Sequence, residues 1–325
     1  MSDETSKPPT GLTMDDFRIT HVSDLKPFVA AEARVAGLSV DPLGALAALR
    51  GTWKGAGFNQ IWRPLNGPQD HFLELNETEE VLQFLEIPGD IPNRGLLQPD
   101  ILLHGLTYLQ KISDANVKQN GKPAGIHIEP GIWVIAPPTT NPADPQTVAR
   151  LANIPHGTSL VAQGTATTSN GTPNFPAVSI TPFVIGQPAN LVPFPADSTL
   201  ATPSNFRTKA TDIPHVTQQM VDNPNVVLAR GIAGKTIKSV VTLRISTIPL
   251  NPPTAGGGTS NIAFLEGTAG GPNAQAAEMD ATFWIEEFVD QHGKTRHQLQ
   301  YTQRVLLNFA PLSWPHVSVA TLLKH

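Results

Sequence analysis

His127 and Glu129 stand two residues apart in Gly125-Ile126-His127-Ile128-Glu129. Residues two apart on a strand share a face, so this imidazole and carboxylate can meet. They can serve as a metal-ligand pair, or as two inward polar groups that satisfy each other by hydrogen bonding, which is the commoner arrangement. Glu79-Glu80 and Glu286-Glu287 are adjacent, and strand neighbours point to opposite faces. Neither pair can act on one substrate bond, and both read as solvated charges. His21, His292 and His325 fall in tail, turn and terminus, while His71, His215 and His297 lack a partner pattern. Gly231-Ile232-Ala233-Gly234-Lys235-Thr236 ends like a phosphate-binding loop. Ala229 stands where that loop needs glycine, and the stretch leaves a helix for a strand, the reverse of the required order. No Gly-x-Ser-x-Gly elbow and no His-Glu-x-x-His occurs, so neither serine hydrolysis nor that zinc chemistry is supported.

The elements that position these residues follow from composition. The 325 residues include 31 Pro and 26 Gly, which argues against long helices, bundles and coiled coils, because an interior Pro removes a backbone donor and clashes with the preceding turn. A net charge of −5 disfavours a nucleic-acid partner, which needs Lys and Arg in excess. There is no Cys, which removes disulfides, thiolate nucleophiles and thiolate-bound metals. Any iron would be held by His, carboxylate, Tyr or Met. No stretch approaches the roughly 20 apolar residues of a membrane helix, and no secretory leader is visible, so the expectation is a cytoplasmic protein.

Residues 1–23 are polar and read as a flexible tail. Asp24 can cap a short helix through Ala33, and Asp41-Pro42 starts a second that ends near Gly51. From Gly51 the period becomes strand-like. Strand candidates are 51–63, 71–76, 80–87, 101–112, 125–136, 158–168, 176–185, 236–248, 261–267, 277–289, 295–309 and 316–323. The turn Asp290-Gln291-His292-Gly293 joins the clearest hairpin. Many short strands with turn signals point to an all-β fold, a closed antiparallel barrel or a sandwich. Residues 186–215 are rich in Pro, Asn and Ser, and 216–233 turn briefly helical. This reads as an insertion that packs over one end of a barrel, within one domain spanning 24–325.

Three segments resemble one family. Gly51-Thr52-Trp53-Lys54-Gly55-Ala56-Gly57 matches the G-x-W-x-G-x-G opening of nitrobindin-like haem proteins. His127-Ile128-Glu129-Pro130-Gly131-Ile132-Trp133 resembles that family's central strand. Leu299-Gln300-Tyr301 and Pro311-Leu312-Ser313-Trp314-Pro315-His316 resemble its closing strand and ligand segment. Ile154-Pro155-His156-Gly157-Thr158 is similar to a family turn with its order altered. The resemblance implies a closed, about ten-stranded lipocalin-like barrel with a short N-terminal helical segment, holding haem b at its open end. It implies His316 as the iron ligand and His127 as the catalytic group across the ring. Gly51, Trp53, Gly55, Gly57, Glu129 and Trp133 are the motif residues expected around the cofactor. The implied activity is isomerisation of peroxynitrite to nitrate, with binding of nitric oxide. Four features depart from the family: roughly 170–235 is extra; Phe58-Asn59-Gln60-Ile61-Trp62-Arg63-Pro64 stands where the family has Tyr-Pro-Thr; two residues, Ser313 and Trp314, separate Pro-Leu from Pro-His where one is usual; and Pro130 replaces a small residue of the central strand. The competing expectation is a non-enzymatic carrier barrel that takes a fatty acid or another small apolar ligand. A homodimer is compatible with either reading.

Overall fold

The register of the strands closes the sheet on itself. The computed structural model describes residues 41–141, 143–249, 256–262 and 273–325. Among the described residues thirteen strands form, in chain order: β1 (Gly51–Pro64), β2 (His71–Glu86), β3 (Ile91–Asn93), β4 (Ile101–Gln119), β5 (Lys122–Ala136), β6 (Thr147–Ile154), β7 (Thr158–Asn170), β8 (Phe183–Val184), β9 (Thr236–Ser246), β10 (Gly258–Asn261), β11 (Gln275–Val289), β12 (Thr295–Phe309) and β13 (Leu312–Lys324). Ten of them run β1-β2-β4-β5-β6-β7-β9-β11-β12-β13, and β13 returns to pair antiparallel with β1 from Trp53↔Lys324 to Ile61↔His316. Closure pairs the first and last strands of the sheet with each other. The expected all-β closed antiparallel barrel is therefore the fold. β3, β8 and β10 are short additions to it.

The expected strands 71–76 and 80–87 are one strand, β2, because its pairing with β1 runs unbroken from Pro64↔His71 to Gly51↔Phe84, through Asn59↔Asn76. The expected strand 176–185 is mostly irregular; only Phe183–Val184 pair, with β13. The tail, the helix from Asp24 and most of the expected strand 261–267 lie outside the described residues. Among the described residues no helix is long and apolar enough to cross a membrane.

One end of the barrel is plugged. Asp41 accepts a hydrogen bond from the Leu43 amide at 3.0 Å and starts a 3-10 helix, Gly44–Leu49. Leu43, Leu46 and Leu49 are buried against Trp53, whose indole donates to the Leu49 carbonyl at 2.7 Å. Above them the barrel interior is filled by Leu82, Phe84, Leu106, Trp133, Phe283 and Leu299.

The insertion between β7 and β9 contains three short helices, α1 (Pro195–Ser198), α2 (Gln218–Asp222) and α3 (Val226–Ile232). It lies along the outer wall of the barrel rather than across an end. Phe58, Trp62, Val317 and Val319 alternate outward from β1 and β13 and, with Trp314 at the mouth end of β13, form a second core with Ile180, Ile213, Met220, Val221 and Leu228. The Trp62 indole donates to the Ile180 carbonyl at 2.8 Å. Residues 204–213 reach the open end. There the Leu73 amide donates to the Phe206 carbonyl at 2.8 Å, and the Thr208 amide to the Leu73 carbonyl at 3.0 Å. This stretch occupies the edge of β2 that β4, whose pairing with β2 begins at Thr78↔Asp114, leaves open.

Candidate functional site

Polarity changes along the inward face of each strand. On β1 the inward positions run Trp53, Gly55, Gly57, Asn59, Ile61, Arg63, from plug to mouth. On β13 they run Leu322, Ala320, Ser318, His316 in the same direction. The mouth therefore collects polar side chains above an apolar floor. A cavity of about 200 Å³ lies there, lined by Asn59, Ile61, Arg63, Glu74, Asn76, Gln110, Ile112, Ile126, His127, His156, Tyr301, Gln303, His316 and Ser318.

Three of the ten histidines converge on this cavity from β5, the β6–β7 turn and β13. The rings of His127 and His156 meet edge to face, with centroids 5.2 Å apart. His316 donates through Nε2 to Asn59 Oδ1 at 2.7 Å, and Ser318 donates to the same oxygen at 2.8 Å. Burial, then the neighbouring His127 and His156, holds the His316 imidazole down at about 3. Burial also lowers His156. Both rings are thus neutral near pH 7.

Beneath the cavity lies a buried charged network. His127 Nε2 donates to Glu129 Oε2 at 3.2 Å. Glu129 accepts from Arg150 and from the Tyr108 hydroxyl, and Arg150 reaches on to Gln303 Oε1 at 2.6 Å. Burial alone would raise the Glu129 carboxyl, but Arg150, His127 and Tyr108 together hold it at about 2. Beside it, Gln110 donates to the Tyr301 hydroxyl at 3.0 Å, and that hydroxyl donates to Glu80 Oε2 at 2.6 Å. Burial pushes the Glu80 carboxyl up. Glu129 and Glu80 are thus shifted in opposite directions behind one floor.

His127 and His316 share the cavity, and Glu129 backs His127. The other expected residues do not line it. Gly51 begins β1 in the left-handed region, at φ 105°, beside Lys324. Trp53 and Trp133 are core residues near the plug, Trp133 meeting the Phe283 ring edge-on at 5.2 Å. Gly55 and Gly57 face the β13 backbone rather than a ligand: a Cβ would lie 2.1 Å from the Thr321 carbonyl oxygen at Gly55 and 2.4 Å from that of Val319 at Gly57. Glu80 and Glu286, read as solvated, are buried, because Glu80 alternates into the barrel and Glu286 lies beneath the insertion. His71 does have partners: it is buried between Asp70, at 2.8 Å, and Asp197, at 3.2 Å, and stacks on Trp314.

Sequence reasoning missed Asn59, Gln110, Gln303, Ser318 and the Arg150–Tyr108 support. The period-two alternation that places Trp53 inward also places Asn59 inward, so the rim was readable from β1 alone. Arg150 gave no such signal, since β6 is not among the expected strands; its partners Tyr108 and Glu129 come from β4 and β5. Among the described residues no group of three or more His, Asp and Glu is arranged to hold a metal ion.

Fold and site together define a closed β-barrel with a plugged floor and a polar, histidine-lined cavity at its open end. No protein family, no curated protein and no solved structure matches the chain.

Proposed function

We infer that this barrel binds a small, uncharged, hydrogen-bonding organic molecule in the cavity at its mouth. The observation that carries the reading is the convergence of His127, His156 and His316 with Asn59, Gln110, Gln303 and Ser318 on one cavity. Few cavities in a packed interior exceed a water, and polar groups gathered around such a space fix a ligand's orientation. The fixed charges are already matched: Arg63 pairs with Glu74 at 2.5 Å, and Glu129 pairs with Arg150. A charged ligand would find no free counter-ion, whereas neutral imidazoles and amides offer both donors and acceptors. Phenol is a suitable probe. Calorimetric titration should give one site in the wild type and none in Ser318→Leu, which fills the cavity from β13. Equal binding by the two proteins would place the ligand elsewhere.

Haem is the second reading. One observation favours it: the two histidines that the motif resemblance picks out line the same cavity. The donor chemistry suits iron, since His316 is a neutral imidazole. The space does not suit a porphyrin. At about 200 Å³ the cavity falls below the roughly 300–1,000 Å³ of organic ligand sites, and eleven of its fourteen lining residues are polar. His316 Nε2 is also spent on Asn59. Haem would need that hydrogen bond broken and the mouth widened, and with it peroxynitrite chemistry would become possible. Titration with haemin decides: a Soret shift in the wild type that His316→Leu abolishes favours haem over the smaller ligand.

A further inference from the structure

Two polar groups of the cavity have their hydrogen-bond direction fixed by partners behind them. One chain of bonds ends at Asp114, whose Oδ1 accepts from the Asn116 and Val117 amides at 2.8 and 2.9 Å and whose Oδ2 accepts from the Asn76 side-chain nitrogen at 2.8 Å. The Asn76 oxygen is thereby left to accept from the Asn59 side-chain nitrogen, at 3.1 Å. Asn59 Oδ1 is in turn the acceptor for His316 Nε2–H, at 2.7 Å, and for the Ser318 hydroxyl, at 2.8 Å. A neutral imidazole carries one N–H, so a proton at Nε2 makes Nδ1 of His316 an acceptor. The second chain starts at Arg150, whose guanidinium has donors only. It donates to Gln303 Oε1 at 2.6 Å, and the Gln303 amide nitrogen is the end left to donate. In the register of β12 on β13, Gln303 stands opposite Ser318 and Val305 opposite His316, so Gln303 and His316 are diagonal neighbours on adjacent strands. Such neighbours can reach a common partner. Both line the cavity, where an acceptor and a donor thus stand side by side.

We propose that the cavity takes a small cyclic amide, a lactam or a cyclic urea, which donates its N–H to His316 Nδ1 and accepts the Gln303 amide at its carbonyl. A cis amide carries N–H and C=O on one edge, the complement of an acceptor beside a donor. An open-chain secondary amide strongly prefers trans, whereas a small ring holds the bond cis. Such a molecule is uncharged, as the matched ion pairs of the site require, and compact enough for about 200 Å³. The proposal rests on the reading of the cavity as a ligand site and narrows its ligand to one class. It also gives the Asp114–Asn76–Asn59 chain a role: these side chains set which nitrogen of His316 carries the proton.

Calorimetric titration with 2-pyrrolidinone, 5-methyl-2-pyrrolidinone and N-methyl-2-pyrrolidinone, beside phenol, tests it. The first two keep the N–H, and the third carries on nitrogen the methyl group that the second carries on carbon. The wild type should bind both N–H lactams about tenfold tighter than the N-methyl compound, which leaves His316 Nδ1 without a donor. His316→Leu should bring that ratio close to one. Long-range proton–nitrogen correlation spectra of the free wild type should show the Nε2–H tautomer at His316. Equal affinity for the N-methyl compound, the Nδ1–H tautomer, or binding of phenol without either N–H lactam would overturn the proposal and leave the reading of the cavity standing. Failure of the wild type to bind any of these compounds would overturn that reading, and the proposal with it.

Discussion

His127 donates to Glu129 across 3.2 Å, and that same carboxylate is locked onto the Arg150 guanidinium. The ligand-facing ring is thus held from behind by a fully buried ion pair. Breaking one partner of such a pair strands a charge without solvent. Glu129→Gln should cost about 3–5 kcal/mol in urea denaturation at pH 7, and Glu129→Gln with Arg150→Met should recover most of it. A single variant as stable as the wild type would show that the pair does not brace the floor.

Two buried groups give stability opposite slopes with pH. Burial lifts Glu286 to about 7, with Gln298 and Lys235 only partly offsetting it. The folded state then keeps a proton that the unfolded chain releases near 4.5, so this contribution is full below that point and is lost as pH rises towards 7. His316, held near 3, does the reverse: stability falls as pH drops from about 6.5 towards 3. Glu286→Gln should match the wild type at pH 4 and exceed it at pH 8, by on the order of 3 kcal/mol. Parallel stability curves for the two proteins would contradict the assignment.

Gly57 lies where β1, β13 and Glu80 crowd together. An added Cβ would sit 2.4 Å from the Val319 carbonyl oxygen and 2.8 Å from Glu80 Oε1. Gly57→Ala should destabilise the fold by about 1–3 kcal/mol while leaving the affinity for phenol unchanged, since the residue does not line the cavity. A change in affinity at full stability would restore a direct ligand role to this glycine.

The barrel was legible in the chain because its signals are local. The turn-bounded period-two runs from Gly51 and the hairpin at Asp290–Gly293 specify antiparallel neighbours without tertiary information. Between β7, which ends at Asn170, and β9, which begins at Thr236, the chain leaves the barrel. Where that segment packs was not legible: Phe58 and Trp62 bear large apolar groups on the outward face, and only the closed register shows that this face needs a cover. The glycine motif was visible, but its reason was not, because the backbone it admits is more than 260 residues away in β13. Likewise His127 and His316 could be singled out, whereas Asn59 at His316 and Arg150 behind Glu129 depend on strand pairings that no local pattern encodes.

The central claim is that His127, His156 and His316 surround one ligand site. Imidazole NMR spectra recorded during a phenol titration test it most directly. Saturable shifts at those three rings, with His71, His104, His215, His292 and His297 unmoved, are the predicted result. Shifts at none of the three, or at all the histidines alike, would contradict it.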